Sequence, residues 1–307
     1  MLMNLALISA GGAGRTRMFL RHLPCIAIAP IPIDEKLQEV LSRGERRRIG
    51  NCVVHRKEDM LRLERAQEPG NIQSEWDIGM RRTPDYAGTM ASMAREALVA
   101  QQTGDARRRV LMLGLGGGTI AGQLLLAGGR EDGAFDSHLH VTAIEADVDV
   151  AQAACRYFVP QMFEHSPNES SLHRRLRVLN ADAVGVVHGS IDLSEEDQVP
   201  YDVIIEDFAY EDPGRFRAPF WQSVRERFAA PQGCVLLINT LYSEPQQMAT
   251  LQDDLRAAGW KDVRQRVDRG LQILPWERQH RLRPEDWRLN DNMIFSARTS
   301  ASGRAYE

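Results

Sequence analysis

From Val110 onward, short apolar runs alternate with helical stretches, and this alternation restricts the fold more than any other feature of the chain. VLMLG, HVTAIE, LRVLN, YDVIIED and GCVLLIN are aliphatic or β-branched runs five to seven residues long. Between several of them lie segments with helical spacing, such as DVAQAACRYF (149–158), FWQSVRERF (220–228) and QQMATLQDDLRAAG (246–259). Strands separated by helices are joined by right-handed crossovers and lie parallel, which makes the expected class α/β with a doubly wound sheet. Two later runs, KDVRQRV (261–267) and NMIFSAR (292–298), follow the last crossover helix. They are expected to pair as an antiparallel C-terminal hairpin at the sheet edge, interrupted by an Arg- and Trp-rich loop.

The preceding third of the chain is less regular. CIAIAPIPI (25–33) and NCVVH (51–55) are short apolar runs, and DEKLQEVLSRGERRR between them carries a helical stripe of Leu37, Val40 and Leu41. Arg46–Arg48 then reads as a solvated helix end. EPGNIQSEWDIG (68–79) is turn-rich and marks a boundary. A helix follows, with Thr83 as cap, Pro84 in the first turn and an apolar face of Met90, Met93, Ala97 and Leu98, ending near Gly104. The expected division is a small α/β or β-rich region (1–75), a connecting segment and helix (76–104) and the main α/β domain (105–307).

Composition excludes several classes. With 307 residues, 43% apolar and 26% charged, the chain can bury a sizeable core and is neither disordered nor collagenous. The net charge of −4 gives no global signal for a nucleic-acid or membrane-surface partner. Only Lys36, Lys57 and Lys261 are lysines among 38 basic residues, an imbalance read as codon usage. The four cysteines (25, 52, 155, 234) form no closely spaced pair, so neither zinc nor a redox dithiol is expected. No apolar run reaches the roughly 18 to 20 residues of a membrane helix. The expected location is cytoplasmic. The acid-free first 33 residues, with Arg15, Arg17 and Arg21, keep a mitochondrial alternative open.

The chemistry is concentrated at the ends of the predicted strands. VLMLG runs into Gly114-Leu115-Gly116-Gly117-Gly118-Thr119, a turn where missing Cβ atoms let a ligand approach backbone. In a doubly wound sheet such a turn opens on the ligand crevice at the carboxyl ends of the strands. The dinucleotide pattern G-x-G-x-x-G would need a third glycine at Thr119, which disfavours a pyrophosphate cradle. Glu145, ending the second strand, is placed to accept ribose hydroxyls and to repel a 2′-phosphate. Its distance from the glycine turn exceeds the roughly 20 residues expected, and AGGREDGAFDSH (127–138) reads as the loop insertion responsible. Asp182 follows the third strand and can accept from an adenine amine, with the Ala183 region supplying backbone N–H. It can equally be a helix N-cap. Glu206 and Asp207 end the fourth strand at the lip of the same crevice. Together these acids describe an adenosine site.

GLGGGT, TAIEAD, NADA, YDVIIED and FWQSVRERFAAPQGCVLLIN resemble a class I S-adenosylmethionine-dependent methyltransferase of the spermidine-synthase-like subgroup. The likeness is specific over 107–240 and weaker over WDIGMRRTPDYAGTM (76–90). Within the subgroup the chain looks most similar to the spermidine-synthase-like domain of the eukaryotic methyltransferase that modifies an elongation factor. The resemblance implies a Rossmann-like sheet and S-adenosylmethionine as cofactor, bound by Gly114, Gly116, Gly117, Gly118, Glu145, Asp182, Ala183 and Asp207. It implies Asp207 as the catalytic group, and a protein or small amine as partner, favouring a lysine or an N-terminus. Phe208 and Tyr210 could flank that amine through their ring faces, or simply pack the loop. No metal is expected, and a homodimer through an edge strand stays open.

The chain departs from true polyamine synthases, which transfer an aminopropyl group. Their G-G-G-D-G-G Asp falls at Gly117, their Y-H-E-M at Ala87-Gly88-Thr89-Met90, and the second Asp of D-S-S-D at Tyr210. A dication needs paired carboxylates, because an unpaired ammonium costs several kcal/mol to desolvate. Glu211 and Asp212 could substitute, so aminopropyl transfer remains the alternative. A catalytically degenerate partner subunit and an NAD-dependent oxidoreductase are the other readings weighed.

Overall fold

The computed structural model describes residues 26–28, 43–67, 72–83, 85–101, 107–126, 138–164, 169–208, 217–241, 245–268 and 292–299. Twelve strands among these residues build two sheets. The larger contains β1 (Ile26–Ile28), β6 (Arg108–Leu113), β7 (Leu139–Glu145), β8 (Leu176–Asn180), β9 (Val203–Glu206), β10 (Val235–Leu241), β11 (Lys261–Asp268) and β12 (Asn292–Arg298). Its order is β1-β8-β7-β6-β9-β10-β12-β11. The five central strands β8, β7, β6, β9 and β10 are parallel, so the doubly wound α/β expectation holds.

The last four residues of β6 and all four of β9 are buried, as strands covered on both faces must be. Alternate side chains feed two cores, one on each side of the sheet. Val110 and Met112 join the first, whereas Leu111 and Leu113 join the second with Trp221, Phe228 and Trp260. Flanking helices include α1 (Asp85–Ala100), α2 (Thr119–Leu126), α3 (Val148–Ala153), α4 (Val159–Phe163), α5 (Glu169–Arg175), α6 (Ala183–Val187), α7 (Ala218–Phe228) and α8 (Pro245–Ala257).

The C-terminal antiparallel pair forms as the sequence predicts, and its placement adds a detail. β12 inserts between β10 and β11, pairing antiparallel with both. That leaves β11 as the outer strand, where Lys261, Asp262, Arg264, Gln265 and Arg266 are exposed. Charged side chains on a free edge discourage pairing with another chain.

The smaller sheet is antiparallel, in the order β2 (Arg47–Ile49), β3 (Cys52–Lys57), β4 (Met60–Arg65) and β5 (Ile72–Asp77). Two expectations change here. Arg46–Arg48 does not end a helix: Arg47 and Arg48 lie in β2, which returns into β3 through Gly50–Asn51 with Gly50 at φ +50°. Positive φ at such a two-residue turn matches the strand twist, and glycine adopts it without strain. The segment 68–79, read as turn-rich, contains β5, whose alternating Ile72, Ser74 and Trp76 outweigh the neighbouring turn residues. The stripe Leu37, Val40 and Leu41 lies outside the described residues, as does most of the loop 127–138 and all but the ends of the Arg- and Trp-rich loop.

One face of the small sheet (Cys52, Val54, Leu61, Leu63, Trp76) joins the first core together with Met90, Ala94 and Leu98 of α1. The opposite face carries a polar set that is mostly buried, with Arg46 reaching in from the exposed surface. The His55 ring meets Glu64 at 2.9 Å, Arg46 reaches Glu64 at 2.8 Å, and Arg62 pairs with Glu75 at 2.8 Å. Among the described residues no helix is long and apolar enough to cross a membrane.

Candidate functional site

Four neighbouring parallel strands bring the predicted site residues to one end of the sheet. β8 leads to Asp182, β7 ends in Glu145, β6 runs into the glycine turn and β9 leads to Asp207. The turn is narrow. Gly114 has φ +90°, and a Cβ there would stand 2.5 Å from the Asp207 carbonyl oxygen. At Gly116, with φ +55°, a Cβ would stand 2.7 Å from the Ser74 hydroxyl. Gly114 donates its N–H to the Ile144 carbonyl, and Asp207 donates its own to that of Leu113. Gly118 is buried at the start of α2.

Glu145 organises the turn. Its Oε2 accepts the N–H groups of Leu115 at 3.1 Å and Gly116 at 3.2 Å. Its Oε1 accepts that of Asp147 at 3.0 Å. A carboxylate has about four acceptor positions, so one further donor fits without displacing a turn N–H. Gly117 donates to the Ser74 hydroxyl at 2.7 Å, and Gly118 donates to the Leu115 carbonyl. Four successive N–H groups of the turn are therefore satisfied within the protein. A phosphate there would find these donors taken and a carboxylate in its place. The arrangement fits a nucleoside without phosphate and disfavours a dinucleotide.

Asp182 lies exposed at the start of α6 and caps it, accepting from Val184 at 3.1 Å and Gly185 at 3.2 Å. Of the two roles the sequence leaves open, the N-cap is present. Ala183 is buried as the first residue of that helix. The Ala181 N–H donates to the Glu145 carbonyl, which ties the two strand ends together. Asn180 reinforces the link, its amide donating to the carbonyls of Glu145 and Ala146.

At the other side of the turn, half-buried Asp207 accepts from the Asn239 amide at 2.8 Å through Oδ1. Its Oδ2 faces the Tyr86 hydroxyl at 3.4 Å. Removal from water raises its pKa to about 6, against the lowering effect of both hydrogen bonds. Glu206 is buried and its carboxyl is pushed well above the usual range by desolvation, with Asp207 adding to the rise. It accepts the Phe208 N–H at 3.0 Å. The half-buried Phe208 packs against the second core, the second of the two roles the sequence leaves open for it. Tyr210, Glu211 and Asp212 lie outside the described residues.

Ser74, Tyr86 and Asn239 join this site without a sequence signal of their own. Each is polar but uncharged, and its partner lies 32 to 121 residues away. Among the described residues no group of three or more His, Cys, Asp or Glu is placed to hold a metal ion.

No family model and no curated protein matches the chain. Solved structures do. A probable spermidine synthase from Corynebacterium glutamicum is 16% identical, with 83% of this chain and 79% of that one covered and a TM-score of 0.55. The spermidine synthase from Thermotoga maritima is 14% identical, with coverage of 83% and 72% and a TM-score of 0.47. Phosphoethanolamine N-methyltransferase 2 from Haemonchus contortus, in complex with S-adenosyl-L-methionine, is 13% identical, with coverage of 68% and 52% and a TM-score of 0.39. The likeness to the C. glutamicum protein establishes the fold. The chain has a Rossmann-like sheet of the kind that protein has.

Proposed function

We propose that this chain is an S-adenosylmethionine-dependent methyltransferase acting on an amine, with a protein lysine or N-terminus as the favoured acceptor. One observation carries the reading: the glycine turn is closed by Glu145 rather than left open to a phosphate, and Asp207 stands beside it. Gly114, Gly116, Gly117 and Gly118 would shape the wall against the nucleoside. The remaining acceptor position of Glu145 suits a ribose hydroxyl, and Asp182 with the Ala183 backbone suits the adenine edge. When bound, the cofactor supplies an electrophilic methyl: nitrogen forms the new bond to carbon, the carbon–sulfur pair stays on sulfur, and nitrogen sheds a proton.

Asp207 is suited to receive that proton, since a base with pKa near 6 is largely ionised at pH 7 yet remains basic. Alignment supplies most of the acceleration in such a displacement, up to roughly 7 to 11 kcal/mol. Aminopropyl transfer is the second reading, favoured by Asp207 being kept where the aminopropyl-transferring relatives carry their first acid. Thermal unfolding of the full chain with S-adenosylmethionine, its decarboxylated form and NAD discriminates. A ligand at 100 times its dissociation constant adds about 2.7 kcal/mol. Stabilisation by S-adenosylmethionine alone is the expected outcome. Preference for the decarboxylated form would favour aminopropyl transfer, and no response to any of them would favour a degenerate subunit.

A further inference from the structure

We propose that the side-chain oxygen of Asn239 binds the acceptor amine, taking one of its N–H bonds beside Asp207. The proposal rests on the methyltransferase reading and specifies how the nucleophile is held. Asn239 is the fifth residue of β10, is 8% exposed, pairs with Ile294 of β12 and lies one residue past the last pair with β9. Its Nδ2 donates to Asp207 Oδ1 at 2.8 Å. Its Oδ1 is buried and has no hydrogen-bond partner among the described residues.

An amide oxygen has two acceptor positions, and leaving a buried one unpaired costs about 1 to 3 kcal/mol. An orphan of this kind, one residue past the last pair between β10 and β9, is a place where a donor can dock. The orientation of the amide is fixed by chemistry. Turning it over would set oxygen against the Asp207 carboxylate, so the donor end faces the acid and the acceptor end is left over. The missing group is therefore an N–H or O–H donor next to a carboxylate.

Among the described residues Asp207 Oδ2 makes only the long contact to Tyr86, which an incoming donor can displace. The amide that carries the neutral acceptor is itself bonded to the acid, so the two belong to one polar cluster. A primary amine offers two N–H bonds to this pair and keeps its lone pair free. Held at two points, the nitrogen cannot rotate that lone pair out of line. The pairing of one amide with one carboxylate also suits a single amino group better than the end of a dication, which calls for further acid.

Binding reads the role directly. Sinefungin is an S-adenosylmethionine analogue in which an amine-bearing carbon replaces the methylsulfonium, so its amine probes the point where methyl and acceptor meet. S-adenosylhomocysteine lacks that amine and reports on the rest of the site. Titration calorimetry on the full chain should show tighter binding of sinefungin than of S-adenosylhomocysteine. Asn239→Ala should weaken sinefungin roughly tenfold or more, the loss expected for a hydrogen bond to a charged group, and change S-adenosylhomocysteine less than about twofold. Should the alanine variant not fold, Asn239→Leu serves in its stead, with S-adenosylhomocysteine binding as the check of folding. An undiminished preference without the amide oxygen would overturn the proposal. So would an equal loss for sinefungin and S-adenosylhomocysteine in the alanine variant, since Asn239 would then act only through the shape of the site. A wild-type chain binding neither nucleoside would overturn the cofactor reading, and this proposal with it.

Discussion

Glu145 stands at the junction of three backbone segments, and that changes what its removal does. From sequence alone, Glu145→Ala should weaken cofactor binding with little effect on the fold. Its bonds to Leu115, Gly116 and Asp147 mean that truncation also leaves three N–H groups to water. We expect a loss of about 1 to 3 kcal/mol in urea unfolding, with Glu145→Gln losing less because one oxygen remains. Asp207 behaves oppositely. Its folded pKa of about 6 lies above the usual value near 3.9, so the folded state binds the proton more tightly. Its contribution therefore favours folding below pH 4 and turns unfavourable as pH rises through 6. Asp207→Asn should be about 1 to 2 kcal/mol more stable than wild type at pH 7.5, equal near pH 4, and inactive. A wild type with no such relative loss between the two pH values would exclude a strained acid at 207. The acids were legible because each stands at or within two residues of the end of an apolar run. Ser74, Tyr86 and Asn239 were not, because their roles arise only when distant segments meet.

Helix-scale packing shows a similar limit to what a sequence discloses. The stretch 149–158 reads as one helix, yet it divides into α3 and a wider π turn at Ala154–Phe158, and the chain continues helically through α4. Nothing in ACRYF announces the wider turn, which buries Ala154, Cys155 and Phe158. Phe158 lies under the glycine turn, where a Cβ on Gly117 would approach its ring to 3.0 Å. Met162, one turn further, fills the space beside Gly122 of α2, with its sulfur 2.3 Å from where a Cβ would stand. Gly122→Ala should therefore cost about 1 to 3 kcal/mol despite alanine's better helix propensity. Met162→Ala in the same chain should return part of that loss, giving a coupling of at least about 0.5 kcal/mol in a double-mutant cycle. Additive effects would mean that α2 and α4 do not share this contact.

Across the whole molecule, the parallel core of the large sheet follows from an alternation visible along the chain, but the pairing of β1 at its edge and the union of the two sheets do not. β5 belongs to the small sheet, and its Ser74 hydroxyl accepts the Gly117 N–H at 2.7 Å while donating to the Gln73 carbonyl. Thr83, beyond β5, donates its hydroxyl to the Glu75 carbonyl and its backbone N–H to the Gln123 side-chain oxygen of α2. Asp149 of α3 likewise accepts from Asn51 at the β2–β3 turn. Polar bonds at three points thus tie the small sheet to the elements around the glycine turn, and the shared apolar core lies beneath them. A nucleoside that settles against the turn should tighten the small sheet as well. Hydrogen exchange on the full chain should show S-adenosylhomocysteine protecting amides of β5 together with those of 114–119. Ser74→Ala should cost about 1 kcal/mol of stability and reduce the protection of β5 while leaving that of 114–119 in place. Protection confined to the turn in wild type would mean that the small sheet is packed beside the site without taking part in it.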